Sequence, residues 1–150
     1  MKEHEESGGD VNRTKVLTSI LAVALILAVG GTILIVAFPQ PSEPFTELYL
    51  LGPGGKAAGY PTNLSVGQTG NVTVAVVNHE NANVDYRLVA TLNNTTISTK
   101  TFSLANNQKW QDSISFTPTT RGAGQKMQVD LFKGSDANVY RSVYLFLTVK

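Results

Sequence analysis

An uninterrupted apolar segment near the amino terminus is the feature that most limits what this chain can fold into. Residues 16–38 read VLTSILAVALILAVGGTILIVAF, 23 residues without a charged side chain. At the rise of a helix this segment spans about 34 Å, enough to cross a bilayer with some tilt. The apolar region of a cleaved signal peptide is usually only about 7 to 15 residues long. We therefore expect an uncleaved transmembrane signal anchor rather than a signal that is removed.

Basic residues are distributed unevenly around this segment. Lys2, Arg13 and Lys15 precede it, whereas the next Lys or Arg after it is Lys56. Because cytoplasmic flanks carry the excess of Lys and Arg, the N-terminus is predicted to be cytoplasmic and the rest of this single-pass chain extracellular. The predicted parts are a cytoplasmic tail (1–15), a transmembrane helix (16–38), a Pro-rich spacer (39–44) and an extracytoplasmic domain (45–150).

Small residues recur every four positions within the apolar segment. Ala24, Ala28 and Thr32 would share one helix face, which could let another transmembrane helix approach closely. Small residues are also common in membrane helices that have no specific partner. The lipid bilayer is therefore the favoured partner of this face, and a second membrane protein is the alternative.

After residue 44 the apolar residues alternate with polar ones, the period of half-buried strands. In VDYRLVATL (84–92), the residues at even-numbered positions are mostly apolar and their neighbours are mostly polar. Segments rich in Gly, Pro, Asn and Asp separate the strands. The pattern predicts an all-β fold, an immunoglobulin-like β-sandwich of about seven strands. The other predicted strands are FTELYLL, NVTVAVVN, TTISTKTFSL, WQDSISF, QVDLF and RSVYLFLTV.

Composition narrows the classes of function. The 106 residues from position 45 onward are enough to fold without metal or disulfide bonds, in agreement with the absence of cysteine. The chain carries 12 Lys and Arg against 11 Asp and Glu. These basic residues are scattered, whereas nucleic-acid binding needs them clustered on one face. We therefore expect no nucleic-acid partner.

N-x-[ST] acceptor sequences for glycosylation are frequent in the predicted outer domain. Asn63, Asn71, Asn93 and Asn94 each begin one. Asn93 and Asn94 also form a predicted two-residue hairpin loop, because Asn tolerates the left-handed backbone of such turns. We expect glycans on Asn63, on Asn71 and on one of the two hairpin residues. Asn12 begins a fifth acceptor, which the predicted orientation leaves bare in the cytoplasm.

Catalytic and metal-binding patterns are weak. The predicted outer domain has no cysteine and only one histidine, His79, so it lacks the usual pairing of a nucleophile with a base. His79, Glu80 and Asp85 could ligate a metal, but two adjacent ligands on a turn favour a hydrogen-bonded turn. Asp136 and Asn138 lack the dense oxygen spacing of a calcium loop. We expect no enzyme, no cofactor and no metal.

Aromatic residues near the last strand lie where a sandwich normally faces water. Alternation in RSVYLFLTV places Tyr140, Tyr144 and Phe146 opposite its inward residues. Such a face needs a cover. The favoured cover is a neighbouring loop such as GPGGKAAGYP, and the alternative is a partner protein. Trp110 aligns with Ile114 and is predicted to lie in the core rather than to form a platform for sugars.

The stretch FTELYLLGPGGKAAGYPTNLSVGQTGNVTVAVVNHE (45–80) resembles an archaeal family of membrane proteins of unknown function, domain of unknown function sixteen-sixteen. The resemblance rests on LGPGGKAAGYPTNL, on Gly67 before the alternating valines, and on NHE. It implies a C-terminal β domain on an archaeal surface, where N-x-[ST] glycosylation is usual. The family has no assigned activity, so the resemblance implies no catalytic residue.

These observations favour a single-pass cell-surface protein whose immunoglobulin-like domain makes structural, adhesive or assembly contacts in an archaeal cell envelope. The alternative is a pilin-like or archaellum-stator-like filament or anchor component, which also has a hydrophobic N-terminal helix followed by a β-sandwich. Arg13, Thr14 and Lys15 match a pilin processing site imperfectly. A metal-dependent enzyme with its site at His79 is a distant third.

Overall fold

The computed structural model describes residues 8–37 and 43–150. The chain forms two compact units, one within residues 1–42 and one from Glu43 to Lys150. The first part of the predicted tail (1–7), the end of the predicted span at Phe38 and most of the predicted spacer (39–42) lie outside the described residues.

The first unit is a single helix, α1, which spans Gly8–Ala37. Its segment Asn12–Leu34 is long and apolar enough to cross a membrane, and none of it is buried. The hydroxyls of Thr18, Ser19 and Thr32 donate to carbonyl oxygens four residues earlier, over 2.8 to 2.9 Å. These bonds satisfy polar groups that a hydrocarbon environment would otherwise leave unpaired.

The second unit is a sandwich of eight strands. These are β1 (Phe45–Leu51), β2 (Asn63–Leu64), β3 (Gly70–His79), β4 (Val84–Leu92), β5 (Thr95–Leu104), β6 (Lys109–Phe116), β7 (Gly122–Lys133) and β8 (Arg141–Val149). One sheet has the order β1-β3-β6 and the other the order β2-β8-β7-β4-β5. The pairing of β2 with β8 is parallel, and the other pairings are antiparallel.

Alternating residues from both sheets build one core. Val72, Val74 and Val76 of β3 are completely buried, and Tyr86 and Leu88 of β4 are buried opposite them in the same cluster. The predicted alternation is confirmed in β4, as is the immunoglobulin-like fold class. In β3, Thr73 and Ala75 are buried as well as the valines, so its outer face is covered too. The other buried members of the cluster are Leu64, Ala90, Leu104, Ile114, Phe116, Met127, Val129, Leu131, Leu147 and Val149.

Two strands differ from the prediction by more than one residue at an end. β2 has only two residues and was not predicted, because so short a segment shows no alternation. β7 begins at Gly122, six residues before the predicted QVDLF. Its first half is interrupted at Gly124, which has a φ of 72° and lies where the β7–β8 register shifts. Such a bulge favours glycine and breaks the period-2 pattern on which the prediction depended.

The predicted hairpin loop is confirmed. Leu92 ends β4 and Thr95 begins β5, so Asn93 and Asn94 are its two loop residues. Their φ angles are 48° and 66°, both in the left-handed region that a type I′ turn requires. Asn is the non-glycine residue that adopts this conformation at least cost.

Asn78 connects the turns at one end of the sandwich. Its side chain is completely buried, and its amide nitrogen donates to the carbonyls of Ala82 and Leu104 over 2.7 and 2.8 Å. Its amide oxygen accepts from the backbone N–H of Glu80 over 2.9 Å. One side chain therefore ties the turn after β3 to the end of β5.

Replacing this side chain tests its structural role. Asn78→Ala leaves two carbonyls and one N–H without their partner, so we expect the free energy of unfolding to fall by about 2 to 3 kcal/mol. Urea denaturation of the full chain in detergent measures the loss. Asn83→Ala, at an exposed position of the same turn, is the control and should cost less than about 0.5 kcal/mol. Equal losses in the two variants would contradict the role given to Asn78.

Candidate functional site

Tyr144 and Phe146 form an exposed aromatic pair on the outer face of the five-stranded sheet. Tyr144 is 58% exposed and Phe146 is 54% exposed. Their rings meet edge to face, with 5.4 Å between the centroids. On the opposite face of the same strand, Leu147 and Val149 are buried. The inward and outward positions predicted for this part of β8 are confirmed.

Polar side chains of β7 border the aromatic pair. Lys126 lies opposite Phe146 in the register, and Gln128 lies opposite Tyr144. The Lys126 ammonium is 4.7 Å from the centroid of the Tyr144 ring, a cation–π distance. Gln128 donates to both carboxylate oxygens of Asp130, over 2.8 and 2.9 Å. An apolar centre with a polar border is the usual anatomy of a protein contact surface.

The loop after β1 does not cover the pair. The Tyr60 hydroxyl donates to the carbonyl of Leu50 over 3.0 Å. Tyr60 and Tyr144 both line a shallow pocket of about 290 Å³ at the edge of the sheet. Each residue of the pair nevertheless stays more than half exposed. The loop therefore reaches the rim of the face without closing it, contrary to the favoured expectation.

Tyr140 lies apart from the other two aromatic residues. It precedes β8, and its hydroxyl donates to the Glu80 carboxylate over 2.7 Å. The same carboxylate accepts from the Thr46 hydroxyl over 2.6 Å and pairs with the Lys133 ammonium at 2.7 Å. Tyr140 lies outside β8, so the alternation of that strand does not extend to it, and its hydroxyl joins this partly buried network instead. The candidate partner face therefore consists of Tyr144 and Phe146.

The network around Glu80 changes the pKa of this residue. Burial alone raises the pKa of this carboxyl, since only 8% of the side chain is exposed. The hydrogen bonds from Lys133, Thr46 and Tyr140 and the positive charge of Lys133 outweigh burial, so the pKa of Glu80 is lowered overall. Glu80 is thus held as a carboxylate whose partners are all supplied by the protein.

The four predicted outer acceptors for glycosylation are all exposed. Asn93 differs from its neighbour, because its amide nitrogen donates to Gln125 over 2.9 Å and its oxygen accepts from the Lys126 N–H over 3.0 Å. Asn94 makes no such contacts within the described residues. Of the two overlapping acceptors in the hairpin, Asn94 therefore presents the more accessible amide nitrogen.

Asn63 and Asn71 lie on opposite sides of the sandwich. Asn63 pairs with Thr148 of β8, and the adjacent Leu64 points into the core. Asn71 accepts a hydrogen bond from Ser115 over 2.6 Å on the outer face of the three-stranded sheet. The two acceptors therefore project from different faces.

The three residues weighed as metal ligands have separate partners. His79 contacts Asn107 and Glu47 over 2.9 and 3.1 Å, and Asp85 accepts from Ser103. The Glu80 carboxylate contacts Thr46, Lys133 and Tyr140, as described above. Within residues 8–37 and 43–150, no three His, Cys, Asp or Glu residues come together in a group that could hold a metal ion.

Asp136 and Asn138 form a turn. One carboxylate oxygen of Asp136 accepts from both the backbone N–H and the side-chain amide of Asn138, over 2.9 and 3.2 Å. This is the favoured alternative to a calcium loop.

Trp110 packs on the core rather than forming an open platform. It is half-buried, and its ring stacks on Phe102 with 4.1 Å between centroids and an interplanar angle of 5°. Phe102 in turn contacts Tyr86. Trp110 therefore packs against the core without being one of its buried members.

The small residues of α1 keep their predicted spacing. Ala24, Ala28 and Thr32 are all exposed. The Thr32 hydroxyl donates to the carbonyl of Ala28 over 2.8 Å, so it is already satisfied within the helix. A helix partner at this face stays a prediction.

Sequence reasoning missed two features of the site. The network around Glu80 joins residues from four separate segments of the chain, and no local pattern signals it. The placement of Asn63 beside the last strand depends on β2, which is too short to predict. The apolar residue Leu64 directly after Asn63 is the sequence signal that could have indicated an ordered position rather than a loop.

Comparison with known proteins identifies a family and a fold. A family model described as Domain of unknown function (DUF1616) matches residues 39–148. No curated protein matches the chain significantly.

Two solved structures of one domain are similar to this chain. The first is the crystal structure of the CARDB domain of the PF1109 protein from Pyrococcus furiosus in complex with di-metal ions. It has 15% identity and a TM-score of 0.54, over 73% of this chain and 96% of that chain. The solution NMR structure of the same domain has 18% identity and a TM-score of 0.54, over 71% of this chain and 95% of that chain. At these identities the likeness establishes the fold alone.

The Glu80–Lys133 pair predicts a pH-dependent stability. Since the pKa of Glu80 is lowered below its ordinary value of 4.5, its stabilisation is present above that pH and is lost as pH falls through the folded value. Lys133→Met should cost about 2 kcal/mol at neutral pH, less than for a fully buried pair because 32% of Lys133 is exposed. This cost should shrink as the pH falls below 4.5 and Glu80 becomes neutral.

Urea denaturation of the full chain across this pH range measures both effects. Lys109→Met is the control, because Lys109 is an exposed residue 5.5 Å from the Tyr49 ring. A cost of Lys133→Met that stays constant with pH would contradict the lowered pKa.

Proposed function

This chain belongs to the DUF1616 family, and from that premise we propose that it is a single-pass membrane protein with an outer immunoglobulin-like domain. The domain makes structural, adhesive or assembly contacts in an archaeal cell envelope. The observation that carries the contact role is the aromatic pair Tyr144 and Phe146, each more than half exposed on a sheet face that the described residues leave open. Solvent-exposed aromatic residues beside polar neighbours are enriched at contact surfaces.

The N-terminal helix supports the membrane part of the proposal. Its segment Asn12–Leu34 has the length and composition of a membrane span, and its hydroxyl groups are satisfied within the helix. The bias of Lys and Arg before the span supports a cytoplasmic N-terminus, and the domain then stands outside. The exposed acceptors Asn63, Asn71 and Asn94 are compatible with glycosylation there.

A contact role also agrees with the chemistry of the domain, and we propose no reaction for it. Its single histidine, His79, is bonded to Asn107 and Glu47. Its most buried carboxylate, Glu80, is satisfied by protein donors. The di-metal ions of the similar CARDB domain are a property of that protein.

The membrane orientation can be tested directly, because the chain has no natural cysteine. Ser135→Cys places a thiol at an exposed turn of the domain. We expect a membrane-impermeant maleimide to label this variant in intact cells. The matched variant Ser7→Cys, in the N-terminal tail, should be labelled only after lysis. The reverse pattern would refute the proposed orientation.

The contact role is tested by removing the aromatic pair. With Tyr144→Ser and Phe146→Ser together, the chain extracted in mild detergent from its native membranes should sediment with a smaller mass than the wild type. Stability should change by less than about 1 kcal/mol, because both side chains are largely exposed.

The control for this experiment is Thr99→Ser with Thr101→Ser, two exposed positions on β5 of the same sheet. This variant should sediment like the wild type. A wild-type protein that sediments as one 16.1 kDa chain with its detergent would count against the contact role.

A further inference from the structure

A glycosylation acceptor lies beside the exposed aromatic pair. β2 places Asn63 in register with Thr148, while Leu64 and Val149 point inward together. Asn63 and Thr148 therefore face outward. Phe146 lies two residues before Thr148 on β8 and faces the same way. Asn63 and Phe146 are thus diagonal neighbours on one face of the sheet.

The spacing of this face suits a sugar attached to Asn63. Neighbouring strands lie about 4.8 Å apart and two residues along a strand span about 6.6 Å, so the Cα atoms of Asn63 and Phe146 are roughly 8 Å apart. The Asn63 side chain is exposed, and its only described hydrogen bond is a long one of 3.5 Å to Thr62. A sugar linked to its amide nitrogen can reach the ring of Phe146 and then that of Tyr144.

The chemistry of the patch fits a sugar. One face of a pyranose ring carries C–H groups, which pack against an aromatic ring, and its edges carry hydroxyls that need hydrogen-bond partners. Phe146 and Tyr144 supply the apolar rings. Lys126 and Gln128, which lie opposite them on β7, supply polar groups at the border.

We propose that a sugar on Asn63 lies over Phe146 and Tyr144 and covers the candidate contact surface. Glycosylation of Asn63 and docking of a partner protein at this surface then exclude each other. The regulatory part of this inference, the mutual exclusion of glycosylation and docking, rests on the proposed function. The covering, the placement of the sugar over the two rings, rests only on the position of Asn63. Asn71 projects from the other sheet, and Asn94 lies at the β4–β5 turn with β7 between it and β8.

The covering can be tested with a sugar installed chemically on the full chain in detergent. Because the chain has no cysteine, Asn63→Cys creates one attachment site for an iodoacetamide derivative of N-acetylglucosamine. The readout is nitration of Tyr144, the one tyrosine of the five that is exposed; the others are buried or half-buried. We expect the sugar to slow this nitration about fivefold, as one favourable ring contact would. It should also raise the Tm by about 4 °C.

Two controls make the result specific. Asn71→Cys carries the same sugar on the opposite face and should leave the nitration rate of Tyr144 unchanged. Adding Phe146→Ser to the Asn63→Cys chain should remove most of the protection, although Tyr144 is still present. Equal nitration of Tyr144 with the sugar at position 63 and at position 71 would overturn the inference.

This experiment separates the inference from the proposed function. Purified chain in detergent gives the same nitration result whichever side of the membrane the domain occupies. Failure of the cysteine labelling in cells would contradict the proposed function and the regulatory part of the inference, but not the covering. Failure of the nitration protection would contradict the covering alone.

Discussion

Packing of the two sheets through alternating side chains is the constraint on which the rest of the domain depends. Val72, Val74 and Val76 fill the inner face of β3, and Leu147 and Val149 fill that of β8. A shift of β8 by one residue would bury its outward side chains only by exposing these inward ones. The exposure of the aromatic pair is therefore imposed by the core, and cannot be relieved by a change of register.

Buried polar groups hold the end of the sandwich at which the chain enters β1. The chain has no cysteine, and Asn78 and Glu80 connect separate segments through hydrogen bonds and an ion pair. In the part of the chain that the structure describes, every buried side-chain nitrogen or oxygen has a hydrogen-bond partner. Each of these hydrogen bonds matters, because the loss of one partner would leave a buried charge or amide unpaired and would lower the free energy of unfolding by a few kcal/mol. Tyr140 belongs to this framework, which is why it is unavailable to the outer face.

Sequence patterns predicted the parts of this molecule that depend on local periodicity. Alternation located β1, β4, β5 and β8 to the residue, and the Asn93–Asn94 turn followed from backbone chemistry. Alternation failed where distant residues decide the pairing of a strand. It missed β2, which is defined only by its pairing with β8, and the bulged start of β7. The candidate site shows the same division. Tyr144 and Phe146 could be predicted from alternation, whereas the bonds of Tyr140 to Glu80 and the proximity of Asn63 to Phe146 could not.

The position of β2 explains how a modification could act on the aromatic pair without disturbing the fold. A two-residue edge strand contributes little to the sheet beyond Leu64, which lies in the core. Its outward residue, Asn63, has no second strand beyond it in the five-stranded sheet. A sugar attached to Asn63 can extend across β8 towards Phe146 without breaking any hydrogen bond between the strands. A sugar attached to β7, which is paired on both sides, would instead lie among the side chains of Lys126 and Gln128, which already occupy the outer face of that strand. An acceptor at the edge is therefore the arrangement in which a sugar can cover the pair and leave the sandwich intact.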